Sequence, residues 1–487
     1  MRLRVAFVLT CAACGANSDA PGDAMSEDAT PAVDAATPAV DAAADAAPDA
    51  APSGVTLRFE RVARSRAFEV IATVAWPGGP GSAPAIQLAA DHGELGVPMT
   101  TGLETRARLT PTTTGNYAIT ATFGSFTVVR TAIVLDQIDE AWDQPETVRG
   151  LVNTAGWEDG PSISPDGTVL TLQYLPVPIN CVLDLDPTKP ACRVKGPLGA
   201  PERPNLPGAA RVHPDGTYQN GCPSILVPTL PLPAPPNSLY AFHREADGSF
   251  IAPHPIYFAG IDGCVSAFGL QILDAAGNAV YAFDDPRHEG EGARLYRTTI
   301  DPTRDRALGT FSVVNGEILL DTTGASSIGD PAGPVQGNPG ELRLPRGDVV
   351  VMSDDEQGRK DLFFNTAVSE AGPWAGQQRI PAPVSDPDAQ ESQPFFDGHT
   401  LWFRRELVVL ATDWNGGPMG SAASWSTPRP ILSPGADPGT GAVVVVGEPS
   451  LTTPGVAPAG PRELYFVYGR RMADGTLDLD VGVVRAR

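Results

Sequence analysis

The sequence predicts an all-β fold. Gly (51) and Pro (50) are both used well above average across 487 residues, which favours many tight turns and few long helices. Short runs with period-two alternation or β-branched enrichment, such as "FEVIATVAW" and "NYAITATF", follow one another with turn signals between them. A phrase first seen at 160–174, "GPSISPDGTVLTLQY", returns downstream at a spacing of about 55 residues, in the range of β-propeller blades. These observations predict a disordered tether, then an N-terminal β-sandwich, then a six-bladed β-propeller. The chain is longer than one compact domain usually holds, and at 42% hydrophobic it has ample material for a core. A formal charge of −23 without any basic run makes nucleic acid and anionic lipid poor partners, and favours solubility.

Residues 1–14 read "MRLRVAFVLTCAAC". Arg2 and Arg4 form a positive start, and Val5 to Ala13 form an apolar run too short to span a bilayer. With Ala12 and Ala13 before Cys14, the segment resembles a bacterial lipoprotein signal with its lipobox. Cys11 stands where such signals usually carry Leu, and an ordinary secretory signal is the alternative. The resemblance implies that Cys14 is lipidated, anchoring the protein to a membrane through acyl chains. Gly15 after Cys14, in place of Asp, implies the outer membrane, so an envelope location is expected, facing either the periplasm or the outside. Setting Cys11 and Cys14 aside leaves Cys181, Cys192, Cys222 and Cys264, an even set suited to two disulfides in an exported protein. Three connectivities are open, with Cys181–Cys192 plus Cys222–Cys264 the nearest-neighbour one. A metal site is the other reading, against which stand the lack of any CxxC and of two His at ligand spacing.

Residues 15–54 carry eight acidic side chains, no Lys or Arg, and the unit TPAVDAA twice in succession. Such a segment buries too little apolar surface to offset chain entropy, and Pro31, Pro38, Pro48 and Pro52 oppose an Ala-rich helix. It is expected to be a disordered acidic leash. From Val55 to residue 137, some seven short strands in about eighty residues predict a small β-sandwich. The run "PTTTGNYAITATF" resembles the late strands of bacterial immunoglobulin-like domains, which implies that the Tyr117 hydroxyl caps a corner.

The propeller is assigned to residues 138–487. Its six copies begin with the phrase at 160–174 and continue at 221–248, 264–285, 338–365, 392–406 and 448–487. One hairpin cannot bury both faces, but repeated hairpins can stack on copies of themselves. The phrase resembles the WD-like repeat of TolB-type periplasmic propellers: Pro161, Ser162, Ser164, Asp166, Gly167 and Leu170 carry the match in the first copy. In the last copy Pro449, Ser450, Leu464, Tyr465 and Phe466 carry it. The resemblance implies a tight Asp-Gly turn between the first two strands of each blade. The segments "WDQP" at 142–145 and "WSTP" at 425–428 are expected to be outer strands, with the Trp142 segment supplying the fourth strand of the last blade and closing the ring.

Catalytic signatures are lacking: no HExxH, GxSxG, GxxxxGK[ST] or GxGxxG occurs. His213 and His399 sit beside Asp-Gly turns, and the remaining His residues are scattered. The acidic groups at 353–356, Asp184/Asp186 and Asp478/Asp480 could hold Ca²⁺ through oxygen ligands, but fit solvated turns or an exposed strand face better. Trp157, Glu158 and Asp159 sit near a blade entry and are expected either to line the mouth of the ring or, for Trp157, to be a structural aromatic. No cofactor or metal is expected. The expected function is a monomeric, lipid-anchored binding or scaffold protein whose propeller funnel takes an envelope protein or glycan. The alternative is an envelope hydrolase or lyase acting on glycans or peptides, and a purely structural surface protein is a third reading. Two carboxylates at glycosidase separation in the funnel would favour the enzyme.

Overall fold

The structure, a computed structural model, describes residues 54–75, 85–154, 156–175, 238–259, 267–272, 278–283, 294–299, 313–314, 317–321, 326–327, 349–356, 359–366, 375, 378–437, 439–453, 460–473 and 475–487. Cys14, the leash and Cys181, Cys192, Cys222 and Cys264 lie outside them. The described chain is all-β: its one helical turn is the 3-10 segment Ala422–Ser424.

Strands β1 (Val55–Arg61), β2 (Phe68–Val74), β3 (Gln87–Ala90), β4 (Glu94–Leu95), β5 (Met99–Thr101), β6 (Glu104–Thr110), β7 (Gly115–Phe123) and β8 (Phe126–Val134) make two sheets around one core. One runs β1-β2-β6, with β4 and β5 both on β6; the other runs β3-β7-β8. The alternation read in the sequence is the burial pattern: along β7 every second side chain, from Tyr117 through Ile119 and Ala121 to Phe123, points inward. Tyr117 is fully buried, and its hydroxyl turns back on the chain before the strand. It accepts from the Thr112 and Thr113 amides at 3.2 and 3.1 Å and donates to the Thr113 carbonyl at 2.9 Å.

Two short strands follow, β9 (Gln137–Ile138) and β10 (Glu146–Thr147), and then a series of antiparallel meanders. The first is β11 (Trp157–Ile163), β12 (Val169–Leu175), β13 (Ser238–Arg244) and β14 (Phe250–Ala259). The second is β15 (Ala267–Ile272), β16 (Asn278–Phe283) and β17 (Arg294–Thr299). The strands β18 (Val313–Val314) and β19 (Glu317–Asp321) extend the first meander, β19 lying parallel to β14, and β20 (Ser326–Ser327) extends the second. The third is β21 (Val349–Glu356), β22 (Arg359–Thr366) and β23 (Gln378–Arg379). The fourth is β24 (Glu391–Phe396), β25 (Thr400–Arg405), β26 (Val408–Asp413) and β27 (Arg429–Ser433), with β9 on its outer edge. The fifth is β28 (Val443–Leu451), β29 (Glu463–Arg471) and β30 (Leu477–Arg485).

Two expectations need correction. The copy at 221–248 is not a unit of its own: its β13 continues the sheet begun by the copy at 160–174, because β12 pairs with β13 along six residues, Val169↔His243 to Tyr174↔Ser238. The described residues therefore hold five meanders, not six blades. Their first strands pack side by side in the order β15, β11, β28, β24, β21, and the two ends of that row do not pack together to a similar extent. The closed ring is thus not present among the described residues.

The Trp142 segment does add to the last meander. Trp142 bridges Ala486, and Glu146 and Thr147 of β10 pair with Val483 and Gly482 of β30. But β10 also pairs with β8, so that edge runs on into the sandwich. Gly482 permits the approach: a Cβ there would lie 2.7 Å from both Ile133 Cδ1 on β8 and the Phe466 ring. The Asp-Gly turn is as expected. Gly167 has φ +74°, and Asp166 Oδ1 takes the Ser164 and Thr168 hydroxyls at 2.5 and 2.8 Å. In the register of β21 with β22, Lys360 stands opposite Asp355 and Arg359 opposite Glu356. Asp478 and Asp480 depart from expectation: both are buried, and Arg470 Nη2 reaches them at 2.5 and 2.9 Å.

A ladder of buried charge crosses the seam between sandwich and meanders. Arg130 on β8 pairs with Glu146 on β10, which also takes Arg485 Nη1. Arg485 Nε bonds Glu463 on β29 at 3.0 Å, and Glu463 holds Arg244 on β13 through two bonds of 2.7 and 2.9 Å. The Tyr465 hydroxyl donates to the same carboxylate at 2.9 Å. Burial alone would raise the Glu463 carboxyl, but Arg244 and Arg485 outweigh it and hold the group below its ordinary value. Its stabilisation is therefore full above the ordinary glutamate value of 4.5 and is lost as pH falls through the depressed one. Replacing Glu463 by Gln leaves two arginines facing a neutral group and is expected to cost about 3 kcal/mol near neutral pH. Urea unfolding should show that loss, together with a flatter acid limb than in the parent protein.

Candidate functional site

Three of the first strands carry the same irregularity at the same place. The register of β11 slips between Asp159 and Ser162, that of β24 between Ser392 and Phe395, and that of β28 between Gly447 and Ser450. Each slip is a bulge made of one left-handed residue followed by proline: Gly160-Pro161, Gln393-Pro394 and Glu448-Pro449. Proline has no N–H for a ladder, so a bulge is where a strand tolerates it. The residue before it has φ of +55°, +57° and +53° in the three cases. For Gly160 this is easy; for Gln393 and Glu448 it stores strain of about 1–3 kcal/mol each.

The strained side chains bond one another. Gln393 Nε2 donates to Glu448 Oε1 at 2.9 Å, the Glu448 amide donates to Gln393 Oε1 at 3.1 Å, and the Gly160 amide donates to Glu448 Oε2. The three bulges are thus joined head to tail from β24 through β28 to β11. Gly447 makes room: a Cβ on it would stand 2.4 Å from Gln393 Oε1 and 3.0 Å from Arg404 Cδ. Asp159 immediately precedes the β11 bulge, within range of the Glu448 charge. Burial, then the Glu448 charge, push the Asp159 carboxyl well above its ordinary value.

Of the residues singled out in the sequence, Trp157, Glu158 and Asp159 open β11 and are 3%, 0% and 8% exposed. Glu158 Oε1 accepts the Thr154 amide and hydroxyl at 2.9 and 2.5 Å. The Trp157 indole N–H is buried without a hydrogen-bond partner. Only Asp159 adjoins the bulge network. The bulge residues Gln393 and Glu448 were missed, although "GPS", "QPF" and "EPS" stand at the same point of their copies and mark prolines inside strands. His399 sits at its Asp-Gly turn, its amide donating to Asp397 Oδ1 at 2.9 Å. Among the described residues no group of three or more His, Cys, Asp or Glu is placed to hold a metal.

A second carboxylate on β24 is unusual. Glu391 is fully buried. Its Oε1 takes Arg405 Nε at 2.7 Å and the Asp386 amide at 3.2 Å, while Oε2 has no hydrogen-bond partner. Burial pushes this group up to about 7, with Asp361 adding to the rise and Arg405 opposing it.

The open recess lies elsewhere, at the junction of sandwich and meanders. A cavity of about 430 Å³ is bounded by the β1–β2 turn, the linker through β9, and Pro430 of β27. Arg61, Arg64 and Arg66 face Asp136, Asp139 and Glu140 across it. Arg66 is held by Asp136 at 2.6 Å and Asp437 at 3.1 Å. Arg61 Nη1 donates to the Asp139 carbonyl at 2.9 Å, while its Nε is buried without a partner. Arg64, at φ +55°, is 88% exposed along its side chain and meets Glu140 only at 3.4 Å.

No family profile matches the chain, and no curated protein does. Among solved structures, a protein of unknown function from Dyadobacter fermentans DSM 18053 aligns over 70% of this chain and 99% of its own, at 10% identity and a TM-score of 0.35. Domains 4–9 of the surface layer protein SbsC align over 88% of this chain and 81% of theirs, at 10% identity and a TM-score of 0.14.

Because Glu391 in the fold lies above its ordinary 4.5, the stability it permits is full below that value and is lost as pH rises through about 7. Glu391→Gln is expected to flatten that stretch, so that urea midpoints near pH 5 and pH 8 differ less than in the parent protein.

Proposed function

We propose that the chain is a cell-envelope lipoprotein, anchored through Cys14, whose folded body binds an envelope protein or glycan. On this reading the N-terminal sheets are an immunoglobulin-like sandwich, supported by the Tyr117 corner, and the five meanders are blades of a β-propeller-like array. The observation that carries the binding reading is the junction recess, where three arginines and three carboxylates border one open cavity in a strongly acidic chain. A ligand carrying charged groups could exchange with Arg64, whose ion pair with Glu140 is long and exposed.

Two measurements test this. Cys14→Ser is expected to move the protein from the membrane pellet to the soluble fraction, and an unchanged pellet would remove the anchor. Tagged protein cross-linked in solubilised envelopes should recover one stoichiometric partner, with recovery reduced roughly tenfold by Arg64→Glu, equivalent to about 1.4 kcal/mol. Equal recovery by both forms would rule out the junction recess.

A further inference from the structure

The three guanidinium groups at the junction recess are in unequal states. Arg66 is closed off by two carboxylates, Asp136 at 2.6 Å and Asp437 at 3.1 Å. Arg61 has no ion pair among the described residues, and its Nη1 donates to the uncharged Asp139 carbonyl at 2.9 Å. Arg64, at the tip of the β1–β2 turn, meets Glu140 at 3.4 Å, and both side chains are well exposed. Burial, then the Arg487 cation, hold the Arg61 group below its ordinary value, with Glu140, Asp139 and Asp143 opposing. Positive charge is therefore only partly answered here.

The nearby acids are mostly engaged elsewhere. Asp136 serves Arg66, and Asp143 Oδ1 accepts the Arg61 and Gln144 amides at 2.6 and 3.0 Å. Asp139 Oδ1 takes the Ala141 amide at 2.9 Å. Glu140 is the acid held most loosely, and the one a ligand can displace into solvent.

We propose that the recess binds an acidic sugar, a uronic acid unit of a glycan, whose carboxylate takes the place of Glu140 between Arg64 and Arg61. This deepens the binding role proposed above and rests on the recess being its site. Charge favours a carboxylate over a phosphate. A monoanion replaces Glu140 one for one, whereas a dianion adds negative charge beside Asp136 and Asp139 in a chain of formal charge −23. Hydroxyl groups also find partners. Asp139 Oδ2 stands 3.8 Å from Arg429 Nε, beyond hydrogen-bond reach, and can accept one. Ser65 Oγ accepts the Ala67 amide at 3.0 Å and keeps its own hydrogen to donate. A peptide is less well served. The Arg61, Asp136 and Asp139 amides are bonded to Asp143 Oδ1 and to the Ser433 and Ile431 carbonyls, so they offer an extended chain no edge to pair with. The cavity of about 430 Å³ falls in the range of small-ligand sites, roughly 300–1,000 Å³.

Isothermal titration of the full chain in detergent at low salt tests this, with trimers of galacturonic acid and of glucuronic acid as probes. At least one trimer should bind, about tenfold more tightly than its methyl ester, which keeps every hydroxyl and loses the charge. Arg64→Gln should weaken that binding by about tenfold. Glu140→Gln removes the competing carboxylate and should tighten it by roughly threefold. Both positions are exposed, so neither change threatens the fold. No binding by either trimer, equal binding of acid and ester, or a Glu140→Gln protein that binds no more tightly would overturn the proposal. Tighter binding of an Asp-Ala-Asp peptide or of inorganic phosphate would overturn it too, and would identify the other occupant. If the trimers fail while Arg64→Glu still lowers partner recovery, the recess stands and the acidic sugar falls. If both fail, the recess falls with it.

Discussion

The final strand holds the molecule together. β30 pairs with β29 on one side and with β10 on the other, and β10 is itself paired to β8 of the sandwich. Its side chains Val481 and Val483 share a core with Leu170, Tyr174, Tyr240 and Phe250 of the first meander. The alternating charges Arg130, Glu146, Arg485, Glu463 and Arg244 cross the same seam. Removing two acids from water is costly, and they are tolerated here because each lies between two guanidinium groups that satisfy its oxygens. The row carries one cation more than it has anions. Burial accordingly lowers Arg130, at the end of the row, to about 10, while Arg485, between two acids, is raised. A geometry this demanding fixes which sheet meets which, something apolar contact alone does less selectively.

The second organising device is the proline bulge. A first strand that ran regularly would present its edge and its pleat evenly to both neighbours. A left-handed residue followed by proline bends the strand and turns a polar side chain toward the adjacent sheet. Using Gln and Glu in a conformation suited to glycine costs energy locally, which the hydrogen bonds between them offset. The strain and the contact between sheets are therefore one feature.

Much of the architecture was legible in the residues. Alternation along "NYAITATF" placed Tyr117 and Ile119 inward, "SPDGT" gave its turn, and the Trp142 segment found the last meander. These are signals with a range of a few residues, or pairings demanded by an unpaired edge. What escaped depends on distant partners. The copy at 221–248 resembles its siblings locally, and only its pairing with β12 shows that it completes an existing sheet. Asp478 and Asp480 alternate with leucines as an exposed face would, but Arg470 on the neighbouring strand lets that face be buried. Gln393 and Glu448 are 55 residues apart, and neither is unusual until the two strands meet.

The position of β30 also governs when the molecule can assemble. Synthesis proceeds from the amino end, so the sandwich and the first meander emerge long before the strand that joins them. Until Leu477–Arg485 arrives, β10 has only β8 to pair with and the apolar face of the first meander is uncovered. The early regions must wait in a sticky, half-covered condition, without their common neighbour.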